Sequence, residues 1–129
     1  MEIIIDIDGE TPMFAQLIEQ IKKAVLSGSL GPGDALPSIR QLANDLGVNN
    51  KTVAKAYQLL ERDEVINTKG YRGTFVHPEA KANSKVDLNE WVLTKFSETI
   101  TALKKAGVTD SEIRIAFGNV MHKKTNLEN

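Results

Sequence analysis

A mainly α-helical fold with one small β-wing is what this sequence predicts, and three observations lead there. Two short amphipathic stretches, 38–46 and 49–60, each open on a residue able to cap a helix, and Gly47 lies between them. Directly after them, the β-prone runs 65–68 and 74–77 flank a glycine-rich tip, Lys69-Gly70-Tyr71-Arg72-Gly73. Beyond residue 86, two longer apolar-periodic segments follow, each with its own capping box. Helix, tight turn, helix and hairpin in that order make an N-terminal winged helix-turn-helix. The later pair makes a C-terminal two-helix hairpin.

The chain begins at 2–8 with Ile3, Ile4, Ile5 and Ile7 between acidic residues, a β-branched density that favours a short strand paired with something. Gly9 to Pro12 turns the chain, and Pro12 suits a helix start. Phe14, Leu17, Ile18, Ile21 and Val25 then form a helical stripe, expected to back the helix-turn-helix as core. Leu30 to Ala35 reads as a loop. Its glycines lack the Lys-Ser/Thr ending of a phosphate cradle, so a structural turn is the better account.

Ser38, with Gln41 three residues on, opens the first helix of the motif, whose apolar stripe is Ile39, Leu42, Ala43 and Leu46. Asn49 offers the next cap, and Val53, Ala56, Tyr57 and Leu60 recur at i, i+3, i+4 and i+7. One face of this second helix is therefore core. Its other face presents Asn50, Lys51, Ala54, Lys55 and Gln58, side chains that reach phosphates and base edges if the helix N-terminus enters a major groove. The cations Lys69 and Arg72 at the hairpin tip suit a minor groove or a phosphate ridge.

Residues 78–86 are polar and aperiodic and are expected to be a linker between a DNA-binding domain, 1–77, and a dimerisation element, 87–123. Within that element one helix carries Leu88, Trp91, Val92, Phe96, Ile100 and Leu103, and the other carries Ile113, Ala116, Phe117, Val120 and Met121. Residues 124–129 are expected to fray. A hairpin with apolar residues on more than one face cannot hide them alone, which points to a homodimer with Trp91, Phe96, Ile100, Ile113 and Phe117 at its interface. Trp91 fits the hairpin core equally well.

Composition narrows the functional classes. There are no cysteines, hence no disulfide framework and no thiolate metal site, and no apolar run is long enough to cross a membrane; a cytoplasmic location is expected. The net charge of −1 gives no global support for nucleic-acid binding, but Arg40, Lys51, Lys55, Lys69 and Arg72 all fall in the proposed contact elements. His77 and His122 lack ligand or catalytic neighbours at helical spacing, Asp6/Asp8 and Asp63/Glu64 adjoin element ends, and Ser38 is explained as a cap. No enzyme activity, metal or cofactor is expected.

Pro32-Gly33-Asp34, Leu36-Pro37-Ser38-Ile39-Arg40-Gln41-Leu42-Ala43, Val48, Thr52-Val53, Ala56-Tyr57, Leu60-Glu61 and Gly73-Thr74-Phe75-Val76, with Pro12 and Gln16 upstream, carry a family resemblance. The run resembles the DNA-binding domain of GntR-family transcription regulators, over about three-fifths of the chain. The short remainder looks like the helical dimerisation element of the YtrA-type branch. The resemblance implies DNA contacts at Ser38, Arg40, Asn50, Lys51, Thr52 and Gly70, and a small-molecule effector as a possible control. Many relatives have arginine where Asn50 and Ala54 stand, so base readout differs here. Many have glycine where Glu64 stands, so the helix end is built differently.

The expected function is therefore a sequence-specific regulator of transcription, a repressor bound as a homodimer to an inverted-repeat operator in double-stranded DNA. The roughly fifty residues past the wing leave little room for a pocket of about 300 Å³ inside one protomer, so an effector would sit at the dimer interface. A winged helix can also serve as a protein-interaction or assembly module, because the fold does not fix its use. RNA binding is a third reading, with only Tyr71 as an exposed aromatic.

Overall fold

The structure is a computed structural model describing the backbone of residues 1–127 and the side chains of residues 1–123. It divides into two units, Met1–Val86 and Asp87–Asn129. The first contains α1 (Met13–Ser27), β1 (Ala35–Leu36), α2 (Ile39–Leu46), α3 (Asn50–Arg62), β2 (Ile66–Thr68), a 3-10 turn (Gly70–Arg72), β3 (Thr74–Val76) and α4 (Ala80–Asn83). The second contains α5 (Leu88–Lys105) and α6 (Asp110–Leu127).

The core of the first unit lies where α1 and α2 pack on α3. Leu17 and Ile21 of α1 and Val53, Ala56 and Leu60 of α3 are all 0% exposed, and Leu42, Ala43, Val65, Ile66 and Val76 complete the cluster. Each large side chain so buried is worth about 1.5–3 kcal/mol over leaving it in water, against about 0–1 kcal/mol for an exposed ion pair. Packing therefore sets the relative placement of the three helices.

The sheet has three strands in the order β1-β3-β2, all antiparallel, with Leu36 opposite Thr74 and Asn67 opposite Phe75. The hairpin was expected and β1 was not. Two residues carry no alternation to read, and β1 is defined only by its distant partner β3.

The isoleucine-rich stretch 2–8 forms no ladder. Instead the side-chain amides of two glutamines on α1 act as a strand's edge: Gln20 accepts from the Ile4 amide at 3.0 Å and donates to its carbonyl at 2.7 Å. Gln16 does the same for Asp6, at 2.8 and 2.9 Å. Ile3 and Ile5 pack inward on the core. The expected strand is thus extended chain tied to a helix.

Residues 78–86, expected to be a linker, fold onto the first unit. Ala80 is 0% exposed, Ser84 is buried, and Asn83 Nδ2 donates to the Glu64 carbonyl at 2.8 Å. Lys22 on α1 reaches both the Val86 carbonyl, at 3.0 Å, and Asp63 Oδ2, at 3.3 Å. Burial pushes the Asp63 carboxyl up, but the hydrogen bond from Arg62 and the charges of Lys22 and Arg62 hold it below the usual range. A polar composition hid these contacts, since they run through single small residues and backbone carbonyls.

In the second unit both helices begin as their caps predict. Asp87 accepts from the Glu90 amide at 3.0 Å, and Thr109 and Glu112 exchange hydrogen bonds at 3.1 and 3.2 Å. Phe96 and Phe117 meet edge to face at 5.8 Å. Trp91 is nevertheless 59% exposed and Ile115 65%, while Ile100 and Ile113 are half-buried. Trp91 is not the core of this hairpin. The last helix, expected to stop at 123, continues to Leu127; of the tail expected to fray, 128–129 lie outside the described residues.

The end of α3 has the hydrogen bonding of a Schellman motif, with the Val65 amide on the Leu60 carbonyl at 2.9 Å and the Glu64 amide on Glu61 at 3.0 Å. That geometry puts Glu64 at φ 57°, among the described residues the single non-glycine in the left-handed region. A side chain there costs about 1–2 kcal/mol, and glycine loses about 0.4–1 kcal/mol of that gain to its freer unfolded chain. Glu64→Gly is therefore expected to raise stability by about 0.5–1 kcal/mol, as an increase in the urea midpoint without a change in slope. A lower midpoint would show that the Glu64 side chain contributes more than its backbone conformation costs.

Candidate nucleic-acid interface

Local chemistry sets the two helix starts. Ser38 Oγ accepts from the Gln41 amide at 3.1 Å, and Asn49 Oδ1 accepts from the Lys51 amide at 2.8 Å. Gly47, at φ 68°, makes the left-handed turn between them, a conformation that costs it nothing sterically. Because Val53, Ala56, Tyr57 and Leu60 are committed to the core, the remaining positions of α3 face outward. Asn50, Lys51, Lys55 and Gln58 are exposed, and Thr52 and Ala54 are half-buried at the border.

Arg40 projects from α2 and is exposed. Together with Asn44 it forms one wall of an open cleft of about 450 Å³, closed by Ala43, Gly47, Val48 and Asn50. The structure thus brings Arg40 and Asn50 to a common surface. Asn44 was missed, although its i+4 spacing from Arg40 places it on the same helix face.

Tyr57 couples the recognition elements. Its hydroxyl, buried on the inner face of α3, donates to the Pro37 carbonyl at 2.7 Å. Pro37 joins β1 to the Ser38 cap, so one hydrogen bond ties α3 to the start of α2 and, through β1, to the sheet. Burial pushes the phenol up to about 12, which keeps it protonated as a donor.

Lys55 does not simply extend into solvent. Its ammonium stands 4.0 Å from the centre of the Phe14 ring, so α1 fixes where that charge sits. The wing tip is also ordered: the Lys69 amide bonds the Gly73 carbonyl at 2.8 Å and the Arg72 amide bonds Lys69 at 3.1 Å. Gly70 sits at φ 58° in the 3-10 turn, Arg72 is exposed, and the Lys69 ammonium lies 5.4 Å from the Phe75 ring. Between them Tyr71 is 96% exposed.

None of Arg40, Lys51, Lys55, Lys69 and Arg72 has an acidic partner within ion-pair distance among the described residues. Their charges are open to an external anion. Among the described residues there is no cluster of histidine and carboxylate side chains able to hold a metal, and no helix long and apolar enough to cross a membrane.

A sequence model described as "Bacterial regulatory proteins, gntR family" matches residues 14–76. The HTH-type transcriptional repressor YtrA of Bacillus subtilis (strain 168) is 41% identical over 101 residues, 78% of this chain and 75% of that protein. Among solved structures, YtrA from Sulfolobus acidocaldarius, a GntR-family transcription factor, is similar with a TM-score of 0.55 and 31% identity, over 94% of this chain and 97% of that one. The DNA-binding domain AraR(DBD) in complex with operator ORX1 is similar with a TM-score of 0.53 and 25% identity, over 59% of this chain and 98% of that one.

Proposed function

The chain belongs to the GntR family of bacterial regulatory proteins, and from that premise we propose how it engages DNA. It is a sequence-specific DNA-binding regulator of transcription. The observation that carries the reading of its surface is the set of five cations without acidic partners on α2, α3 and the wing, around a recognition helix whose exposed side chains Asn50, Lys51, Lys55 and Gln58 are polar. A protein-docking helix would show an apolar patch there, and Asn50, Lys51, Lys55 and Gln58 offer none.

In this reading the first turn of α3 enters the major groove, so Asn50, Lys51 and Thr52 meet base edges while Arg40 and the hydroxyl of Ser38 hold the flanking backbone. Lys55, held against Phe14, meets a phosphate at the groove's edge. Gly70 and Arg72 bring the wing to the duplex, where the absence of a side chain at Gly70 permits close approach. DNA as the target implies work in the cytoplasm. Arg40→Ala is expected to lower affinity for specific and random duplexes alike and to flatten the salt dependence by about one unit in log–log slope. Unchanged affinity for both at low salt would remove Arg40 from the surface.

The second unit supports a homodimer. No residue of α5 is buried, and Trp91, Phe96 and Phe117 are exposed, so a two-fold partner would cover them, together with the half-buried Ile100 and Ile113. Two recognition helices would then read an inverted repeat with half-site centres about 34–36 Å apart. Ending the chain after Val86 is expected to give a folded monomer with much weaker DNA binding, because the linked second half-site is lost. Sedimentation at micromolar concentration decides it: a full-length monomer, or a dimeric truncation, contradicts the assignment.

A dimer seated on an operator regulates most simply by occluding polymerase, and the similar YtrA of Bacillus subtilis is a repressor, so we assign repression. Transcription of the adjacent genes is expected to rise when the gene is deleted. A fall would reverse the sign.

A further inference from the structure

The side chain of Tyr71 is a cost the fold does not explain. It is 96% exposed, touches no core residue, and its hydroxyl has no hydrogen-bond partner among the described residues. Tyr57, the other tyrosine, is buried and bonded. The backbone beneath Tyr71 is nonetheless well defined, because the turn is closed by Lys69 N–H on the Gly73 carbonyl, Arg72 N–H on Lys69 and Gly73 N–H on Gly70, at 2.8, 3.1 and 3.3 Å. An aromatic side chain with few rotatable bonds, presented on an ordered turn, loses little entropy when it binds. That is how a recognition residue is built.

We propose that Tyr71 is a specificity-determining residue that enters the DNA minor groove and favours A·T over G·C pairs where the wing lands. This rests on the DNA-binding reading of the same surface. Three features favour it. The minor groove is only about 6 Å wide, enough for the edge of a phenol ring and too narrow for a helix. Lys69 and Arg72 flank the ring in sequence, and cations on both sides suit a groove with phosphates on both walls. The exposed phenol O–H is a donor, and the groove floor at A·T pairs presents only the acceptors adenine N3 and thymine O2, whereas guanine places an amino donor there. An O–H that meets that amino group loses its acceptor and gains a steric obstacle.

The test uses the full-length protein and a duplex recovered by selection from a random pool. The pairs beside the recognition-helix footprint are set to A·T, G·C or inosine·C, the last matching G·C in the major groove but lacking the minor-groove amino group. The wild type is expected to bind the A·T and inosine·C duplexes alike, and the G·C duplex roughly tenfold more weakly. Tyr71→Ala is expected to keep its unfolding temperature, since the ring touches no core residue, and to bind all three duplexes equally, at the wild-type level for G·C. If the wild type does not separate inosine·C from G·C, or if Tyr71→Ala binds all three as the wild type does or loses the same factor on each, the minor-groove role is wrong. Failure to recover any duplex with the wild type would instead overturn the DNA-binding reading on which it rests.

Discussion

The packing of α1 against the inner face of α3 is the constraint on which the rest of the first unit depends. Leu17 and Ile21 fit against Val53, Ala56 and Leu60 with no solvent access, a density at which even one methylene is felt. With Tyr57, these last three are the four positions of α3 committed to the core, and Asn50, Lys51, Lys55 and Gln58 point outward by helical geometry alone. The same contact places the Lys55 ammonium, because Phe14 lies one turn before Leu17 on α1. Tyr57 then passes the alignment on to Pro37, and from there to the Ser38 cap and to β1 in the sheet. The recognition surface is in this sense the outside of a core.

Charge is handled locally. With a net charge of −1 the chain as a whole gives no attraction for a polyanion, and what matters is which charges are already neutralised. Lys22 and Arg62 are spent on Asp63 at the end of α3, where they close the first unit. Arg40, Lys51, Lys55, Lys69 and Arg72 have no such partner among the described residues. Counterion release on binding DNA therefore draws on groups that lose no internal ion pair in the process, so the cost of recruiting them is mainly side-chain entropy.

The parts of the fold that were legible in the sequence are those written in local chemistry. Ser38, Gly47 and Asn49 fix the ends of α2 and α3 within a few residues of themselves, and the 3.6-residue period assigns the faces. What was not legible depends on partners far along the chain. The strand β1 exists only because β3 lies beside it, and the isoleucines at 2–8 are tied by Gln16 and Gln20, whose side chains look like ordinary helix surface in sequence. Polar residues 78–86 gave no periodic signal, yet Ala80 and Ser84 are buried. For the candidate site, the sequence located the cations and amides. It missed Asn44, and it read Tyr71 as an exposed aromatic but only in weighing RNA binding, because the ordered turn that presents the ring belongs to the fold and not to the residue type.

The second unit poses the opposite problem from the first, helices without a core. Ordering a residue costs about 1–2 kcal/mol of backbone entropy, and most helical stability in proteins comes from packing an amphipathic face against a partner. Caps at Asp87 and Thr109 contribute on the order of 1 kcal/mol each, and the Phe96–Phe117 contact about 0.5–1.5 kcal/mol beyond its area. Those terms are small against two helices of 18 residues each. One copy of the unit leaves Trp91, Leu93, Ile115, Val120 and Met121 in water, and the proposed homodimer supplies the missing stabilisation by covering them. In the proposed homodimer each of these side chains is buried twice, once per protomer, so folding of the hairpin and association of the chains become one equilibrium. DNA affinity would then depend on protein concentration through the hairpin, with no change required in the recognition surface itself.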